Sequence, residues 1–196
     1  MEQLFNYISK RSNLSKELKD YINSTAKVKN LYKGDTLINQ DQIVDKTFFV
    51  VDGCLRSYAF AKDGKEHTLQ FALKDNWISD YIAIFNNEKS TQLIESISEA
   101  TVIEVSINEG IETVFSQFPE IETLHRKNLE RNVVSLQKRI LNQLQLSSID
   151  RYTLFLKQFP NIEKYALNYH IASYLGITQQ SLSRIRGSYK SIKDLS

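Results

Sequence analysis

A single cysteine, Cys54, stands in 196 residues. One thiol excludes a disulfide framework within the chain and an iron–sulfur cluster held by cysteines. It lies in a strand pattern and reads as a buried structural thiol. No apolar run reaches membrane-spanning length, and Met1-Glu2-Gln3-Leu4 carries no cleavable signal pattern. A cytoplasmic location with no membrane partner is therefore the expectation. Arginine is missing from Ser57 to His125, glycine between Gly64 and Gly110, and carboxylates between Glu163 and Asp194. His67, His125 and His170 are scattered, and no metal-ligand spacing, phosphate loop or nucleophile–base set is visible. Nothing in the chain supports an enzyme.

The chain is long enough for one large domain or two small ones, and its 24% charged residues suit a soluble globular protein. The formal charge of +2 is unevenly spread. Residues 1–125 hold 13 Lys and Arg against 19 Asp and Glu, a net of −6. Residues 126–196 hold 12 against 4, a net of +8. A basic region that gains affinity for phosphates by counterion release is thus joined to an acidic region with another task.

Leu4, Ile8, Leu14, Leu18 and Ile22 predict helix over about residues 3 to 25. Then the period changes. Phe48 to Val51 is a short β run. Cys54 to Phe60 alternates, with Leu55, Ser57 and Ala59 on one face and Cys54, Arg56, Tyr58 and Phe60 on the other. Lys62-Asp63-Gly64-Lys65 is a hairpin turn signal. His67, Leu69 and Phe71 continue the partner strand, and another alternating run spans Leu93 to Ser106. Short strands at close intervals indicate a sandwich or barrel. From about Ile111 the period is helical again. Leu129, Val133, Leu136, Ile140 and Leu144 form a narrow apolar seam, read as a helix pairing with its twin rather than with its own domain. Ser147-Ser148-Ile149-Asp150 breaks that pattern and offers caps. Arg151 to Phe159 is helical, closed by Pro160.

The segment from His170 to Arg186 reads as helix, turn, helix. Ile171, Ala172 and Leu175 share one face. Gly176 ends the first helix, because a residue there commonly needs positive φ. Thr178 is an N-cap for the second. Leu182 and Ile185 face inward, and Gln179, Gln180, Ser183, Arg184 and Arg186 outward. A short helix presenting amides, hydroxyls and guanidiniums suits the major groove of DNA. The small residues at Ala172 and Gly176 let the two helices approach closely.

An acidic barrel, a long central helix, a break and a helix-turn-helix together resemble the Crp/Fnr family of bacterial transcription regulators. Lys33-Gly34-Asp35-Thr36-Leu37-Ile38 and Phe48-Phe49-Val50-Val51-Asp52-Gly53 look like turns of its cyclic-nucleotide-binding-like roll. Glu66 to Phe71, Trp77 to Tyr81 and Ile171 to Arg186 resemble more closely the branch common in Bacteroidetes. The resemblance implies an α+β chain: a double-stranded β-helix (jelly-roll) sensor domain over 1–146, including a dimer helix at about 111–146, and a winged helix-turn-helix domain over 147–196. It implies a homodimer on double-stranded promoter DNA, with RNA polymerase as a further partner. Gln179, Gln180 and Arg184 fall at base-reading positions, since glutamine can read adenine and arginine guanine. Asn168, Tyr169, Thr178, Ser181, Ser183 and Arg186 fall where the DNA backbone is held. His170 is expected on the helix surface. Few residues remain after Arg186 for a wing, so any wing strands would have to precede the motif, near Asn161 to Leu167, and be short.

By the same resemblance, the phosphate cassette of the roll maps onto Ser79-Asp80 and Ser90-Thr91. The family's glycine and arginine are replaced there, and Asp80, Glu88 and Glu95 would face a phosphate with only Lys89 nearby. A buried phosphate needs charge partners, so cyclic AMP is disfavoured and no cofactor is expected; the effector is unidentified. Trp77, Tyr81 and Phe85 either line an apolar pocket or fill a core. His67 is a haem ligand or a structural residue. The competing reading of the whole chain is a small-molecule sensor whose helical C-terminal region makes protein contacts.

Overall fold

The structure, a computed structural model, describes residues 1–107 and 109–193. Among these, eight strands form two antiparallel sheets. The strands are β1 (Ala26–Leu31), β2 (Thr36–Ile38), β3 (Lys46–Asp52), β4 (Leu55–Phe60), β5 (Glu66–Ala72), β6 (Trp77–Ile78), β7 (Leu93–Ser96) and β8 (Ala100–Ser106). One sheet has the order β1-β8-β3-β6 and the other β2-β7-β4-β5. Leu31, Phe48 and Val102 from the first sheet and Ile38, Leu55 and Ile94 from the second are buried in one core, so the roll closes on apolar side chains. Its hairpins follow the expected turn chemistry. Gly64 has φ of 80° in the β4–β5 turn, where Ala61 N–H donates to the Lys65 carbonyl. Gly53 is required for a further reason: a Cβ there would lie 2.4 Å from the Glu99 carbonyl oxygen.

The helices are α1 (Glu2–Ser9), α2 (Lys16–Thr25), α3 (Tyr81–Asn86), α4 (Ile111–Gln117), α5 (Pro119–Gln145), α6 (Ser148–Gln158), α7 (Asn168–Leu175) and α8 (Gln179–Lys193). Two expected helices are each divided. The one over residues 3 to 25 breaks because Ser15 starts a new helix, its Oγ accepting the Leu18 N–H. The one from Ile111 breaks at Phe118-Pro119. Proline has no N–H for the preceding turn and pushes the residue before it out of helical conformation, so the long helix starts at Pro119. The run from Leu93 to Ser106 is likewise two strands, β7 and β8.

The segment expected to hold wing strands forms a 3-10 turn at Ile162–Lys164 instead, and no described strand follows β8. Asn161, at φ of 63°, sets that turn. Residues 194–196, at the end of the tail considered for a wing, lie outside the described residues.

The helical C-terminal region is not a free appendage. Phe71 of β5 meets the rings of Phe155, Phe159 and Tyr174 at centroid distances of 6.0, 5.9 and 5.4 Å. Cys54 and Ile97 join the same buried cluster as Ile171, Leu175 and Leu182. Ser173 of α7 then fastens to the edge strand: Thr68 N–H donates to its Oγ at 2.8 Å, and that hydroxyl donates to the Glu66 carbonyl at 2.8 Å. One apolar core therefore crosses the boundary expected at 146/147.

Candidate nucleic-acid interface and effector site

Local chemistry makes the α7–α8 pair. Gly176 adopts the left-handed conformation (φ 67°), its N–H bonding back to Ala172 and Ser173, while Ile177 N–H donates to the Ala172 carbonyl. This satisfies the last carbonyls of α7 as a Schellman cap does. Thr178 Oγ1 accepts the Ser181 N–H at 3.1 Å and so caps α8. Leu182 is fully buried, whereas Gln179, Gln180, Ser183 and Arg184 are exposed. Ser181 is half-buried, and Arg184 Nη2 lies 3.4 Å from its hydroxyl.

Arg186 differs from the expected outward residue. Its Nη2 pairs with Glu163 at 2.6 Å, its Nε donates to the Tyr152 hydroxyl at 3.2 Å, and Nη1 donates to Asn168 Oδ1. The guanidinium ties α8 to α6 and α7, and it holds Asn168 as well. Tyr169 is exposed, with its ring 5.7 Å from the Arg56 guanidinium. Gln179, Gln180 and Arg184, the residues expected to read bases, are all exposed on α8, while Asn168 and Arg186, expected to hold the DNA backbone, are already engaged within the chain.

His170 is a correction. It is 3% exposed, not on the helix surface. Its Nδ1 accepts the Leu167 N–H, and Nε2 lies 4.0 Å from Glu95. Burial, with the positive Arg56 and Lys33 adding to it, pushes its pKa down to about 3. The imidazole is neutral at pH 7, so this approach is not an ion pair. Arg56, only 1% exposed, is a site residue that sequence patterns did not single out. It pairs with Glu66 at 2.7 Å and Glu95 at 2.6 Å and stacks over Tyr58 at 4.0 Å. A lone arginine alternating with Cys54, Tyr58 and Phe60 was the available signal. Burying both faces of β4 took α7.

Three of the four cassette positions, Asp80, Ser90 and Thr91, bond to one another, and Ser79 bonds elsewhere. Asp80 is fully buried and caps α3: its Oδ1 accepts the Ile82 and Ala83 N–H groups at 3.1 Å each. Its Oδ2 accepts the Ser90 hydroxyl at 2.7 Å and the Thr91 N–H at 3.3 Å. Ser79 donates to the Lys46 carbonyl at 2.7 Å. Burial alone would raise the Asp80 pKa, yet the hydrogen bonds from Ser90, Gln92 and the two backbone groups outweigh it and hold the carboxyl below its usual range. The carboxylate occupies donors that a ligand phosphate would need.

On α5, Val133, Leu136, Ile140 and Leu144 are exposed, Leu144 by 78%, and Leu129 is half-buried. Val134 and Leu141, which the narrow seam omitted, are also exposed and widen the apolar stripe. Among the described residues, no helix is long and apolar enough to cross a membrane, and no cluster of His, Cys, Asp and Glu has metal-binding geometry.

Residues 28–115 match the family model of the cyclic nucleotide-binding domain. No curated protein matches the sequence. Among solved structures, a protein of Eubacterium rectale assigned to the Crp/Fnr transcriptional regulators is similar with a TM-score of 0.72 at 17% identity, over 91% of this chain and 84% of that one. A double mutant of CooA from Carboxydothermus hydrogenoformans gives 0.68 at 20% identity over 91% and 82%. FixK2 of Bradyrhizobium japonicum gives 0.67 at 18% over 86% of each chain. The roll of this chain is thus a cyclic nucleotide-binding-type domain, set in a chain that shares its overall fold with the Crp/Fnr regulators.

Proposed function

We propose that this chain is a homodimeric, sequence-specific DNA-binding transcription regulator. The observation that carries this reading is the exposed face of α8. Gln179, Gln180, Ser183 and Arg184 face solvent on a helix that contains no carboxylate, while Leu182 anchors it in the core. Such a face combines base-edge readers with no charge that repels phosphate. The basic C-terminal region and the apolar stripe on α5 support the same reading: the stripe gives a second copy its seat, and the dimer spaces two α8 helices for a two-fold DNA site.

Asn168, Tyr169, Thr178, Ser181 and Ser183 are the backbone contacts, and Arg186 joins them only by leaving Glu163. We divide the chain at 146/147, with the roll and α5 as the controlling unit and α6–α8 as the reading unit. Within the Crp/Fnr regulators we place it in the branch common in Bacteroidetes. On promoter DNA such a dimer meets RNA polymerase. Its effector is not cyclic AMP, because Asp80 stands where the phosphate would bind.

The test is selection of sites from random duplex DNA, followed by mobility shifts at ~50 to 200 mM salt. The expected outcome is a two-fold related sequence bound with steep salt dependence. Arg184→Ala should cost about 1–3 kcal/mol and relax preference at one base of each half-site. Equal binding to selected and scrambled duplexes would refute the reading.

A further inference from the structure

A cavity of about 90 Å³ lies outside the roll's own core. The N-terminal helices α1 and α2 wall it on one side, strands β3, β6 and β8 form its floor, and α3, α4 and the start of α5 close around it. It is far larger than the ~10–15 Å³ a single water requires, and smaller than the ~150 Å³ apolar cavity that takes up benzene.

None of the described residues that line it is charged. Most are aliphatic or aromatic, among them Leu4, Ile22, Val114 and Leu124. Two buried nitrogens on its lining residues, Trp77 Nε1 and His125 Nε2, have no hydrogen-bond partner among the described residues. Buried polar groups are nearly always paired, and two exceptions on residues around one cavity call for partners that no described residue supplies. The His125 ring sits among Tyr81, Phe85 and Phe115, at centroid distances of 5.5, 5.6 and 5.3 Å. Burial there lowers its pKa and keeps it neutral. An indole N–H donates only, so what meets Trp77 must accept. With no counter-charge in the wall, an ionised ligand would be left unpaired.

We propose that this cavity binds a small uncharged molecule of about three or four heavy atoms, with an apolar body and one hydrogen-bonding oxygen or nitrogen, held by Trp77 and His125. None of Ser79, Asp80, Ser90 and Thr91 lines it, although Tyr81, next to Asp80, does. Its far wall includes Ile121, Leu124 and His125 of α5, about two to three turns before the exposed stripe begins at Val133. On the regulator reading, an occupant would brace the helix that seats the second copy.

Trp77 is the sole tryptophan, so its indole N–H gives one signal in the nitrogen-15 spectrum of the full chain. Propan-2-ol is the probe, and 2-chloropropane, of the same shape without the hydroxyl, is its control. Propan-2-ol is expected to move that signal saturably, with half-saturation at about 10 mM or below. 2-Chloropropane is expected to bind at least ~10-fold more weakly. In ligand-observed saturation-transfer spectra, Trp77→Phe and His125→Phe should each weaken propan-2-ol at least ~5-fold while leaving 2-chloropropane unchanged. If one variant fails to fold, the other decides. The absence of a saturable shift overturns the proposal, and so does propan-2-ol affinity unchanged in the folded variants. DNA binding by the chain without propan-2-ol is a separate measurement, so failure of either reading leaves the other to its own test.

Discussion

His170 is one source of acid sensitivity in the molecule. Folded, its pKa lies near 3; unfolded, it would return to about 6.5. Between those values the unfolded chain binds the extra proton, so stability rises with pH and is lost as pH falls below about 6.5. From pH 7 to pH 5 the loss is about 2 kcal/mol. Denaturant unfolding at both pH values should show it, and His170→Gln should remove most of it. Asp80 acts in a different window. Its lowered pKa means a contribution present above the ordinary carboxylate value and lost only as pH falls through the lower folded one. Asp80→Asn leaves the Ser90 hydroxyl and backbone donors around it poorly matched. It should cost about 1–3 kcal/mol by the same unfolding assay, without creating cyclic AMP binding in calorimetry. Gain of that binding would show that the carboxylate alone had blocked the site. Neither His170 nor Arg56 could be placed from its neighbours in the chain. Their partners come from other elements: Glu66, Glu95 and Tyr169 gather on Arg56, and Glu95 approaches His170.

Among the elements, α5 is the one whose environment is incomplete within a single chain. Of its 27 residues only Leu124 is buried. A helix with an apolar stripe exposed over several turns needs a partner surface. Ile140→Glu is therefore expected to yield a species of single-chain mass in sedimentation, with the fold of each chain intact because Ile140 is 56% exposed. A dimer that survives this change would rule out α5 as the pairing surface. The spacing of Leu129 to Leu144 was legible in sequence, since helical periodicity is local. The added width from Val134 and Leu141 was not, because each lies one position off the spacing of the seam, after Val133 and Ile140, and its exposure on the folded surface reveals it. The start of the helix was misplaced for a local reason: Pro119 fixes it and apolar periodicity does not register it.

Across the whole molecule, the aromatic cluster around Phe71 joins the roll and the helices α6–α8 into a single cooperative unit. Phe71→Ala removes a ring that touches Phe155, Phe159 and Tyr174, and should cost about 3–5 kcal/mol. Calorimetry of the wild type is expected to show one transition, and the variant should unfold at lower temperature with the α6–α8 amides losing exchange protection before those of β3 and β8. Two well-separated transitions in the wild type would contradict this coupling. Docking of α7 on β5 also places α8 one packing layer from the roll, so a change in the roll has a short physical route to α8.

The sequence by itself determined the short-range features. Gly176 and Thr178 end one helix and begin the next, Asp63-Gly64 turns a hairpin, and alternation marks the strands of the roll. Each of these depends on backbone preferences within a few residues. It also determined the chemistry on α8, because helical periodicity separates Leu182 from Gln179, Gln180 and Arg184. Only the tertiary structure decided which polar groups are used up inside. Asp80 is consumed by Ser90 and its own helix, Arg186 by Glu163, and Arg56 by Glu66 and Glu95, while Trp77 and His125 are left facing a cavity. Burial and pairing are properties of side chains brought together from distant positions, and no local pattern encodes them.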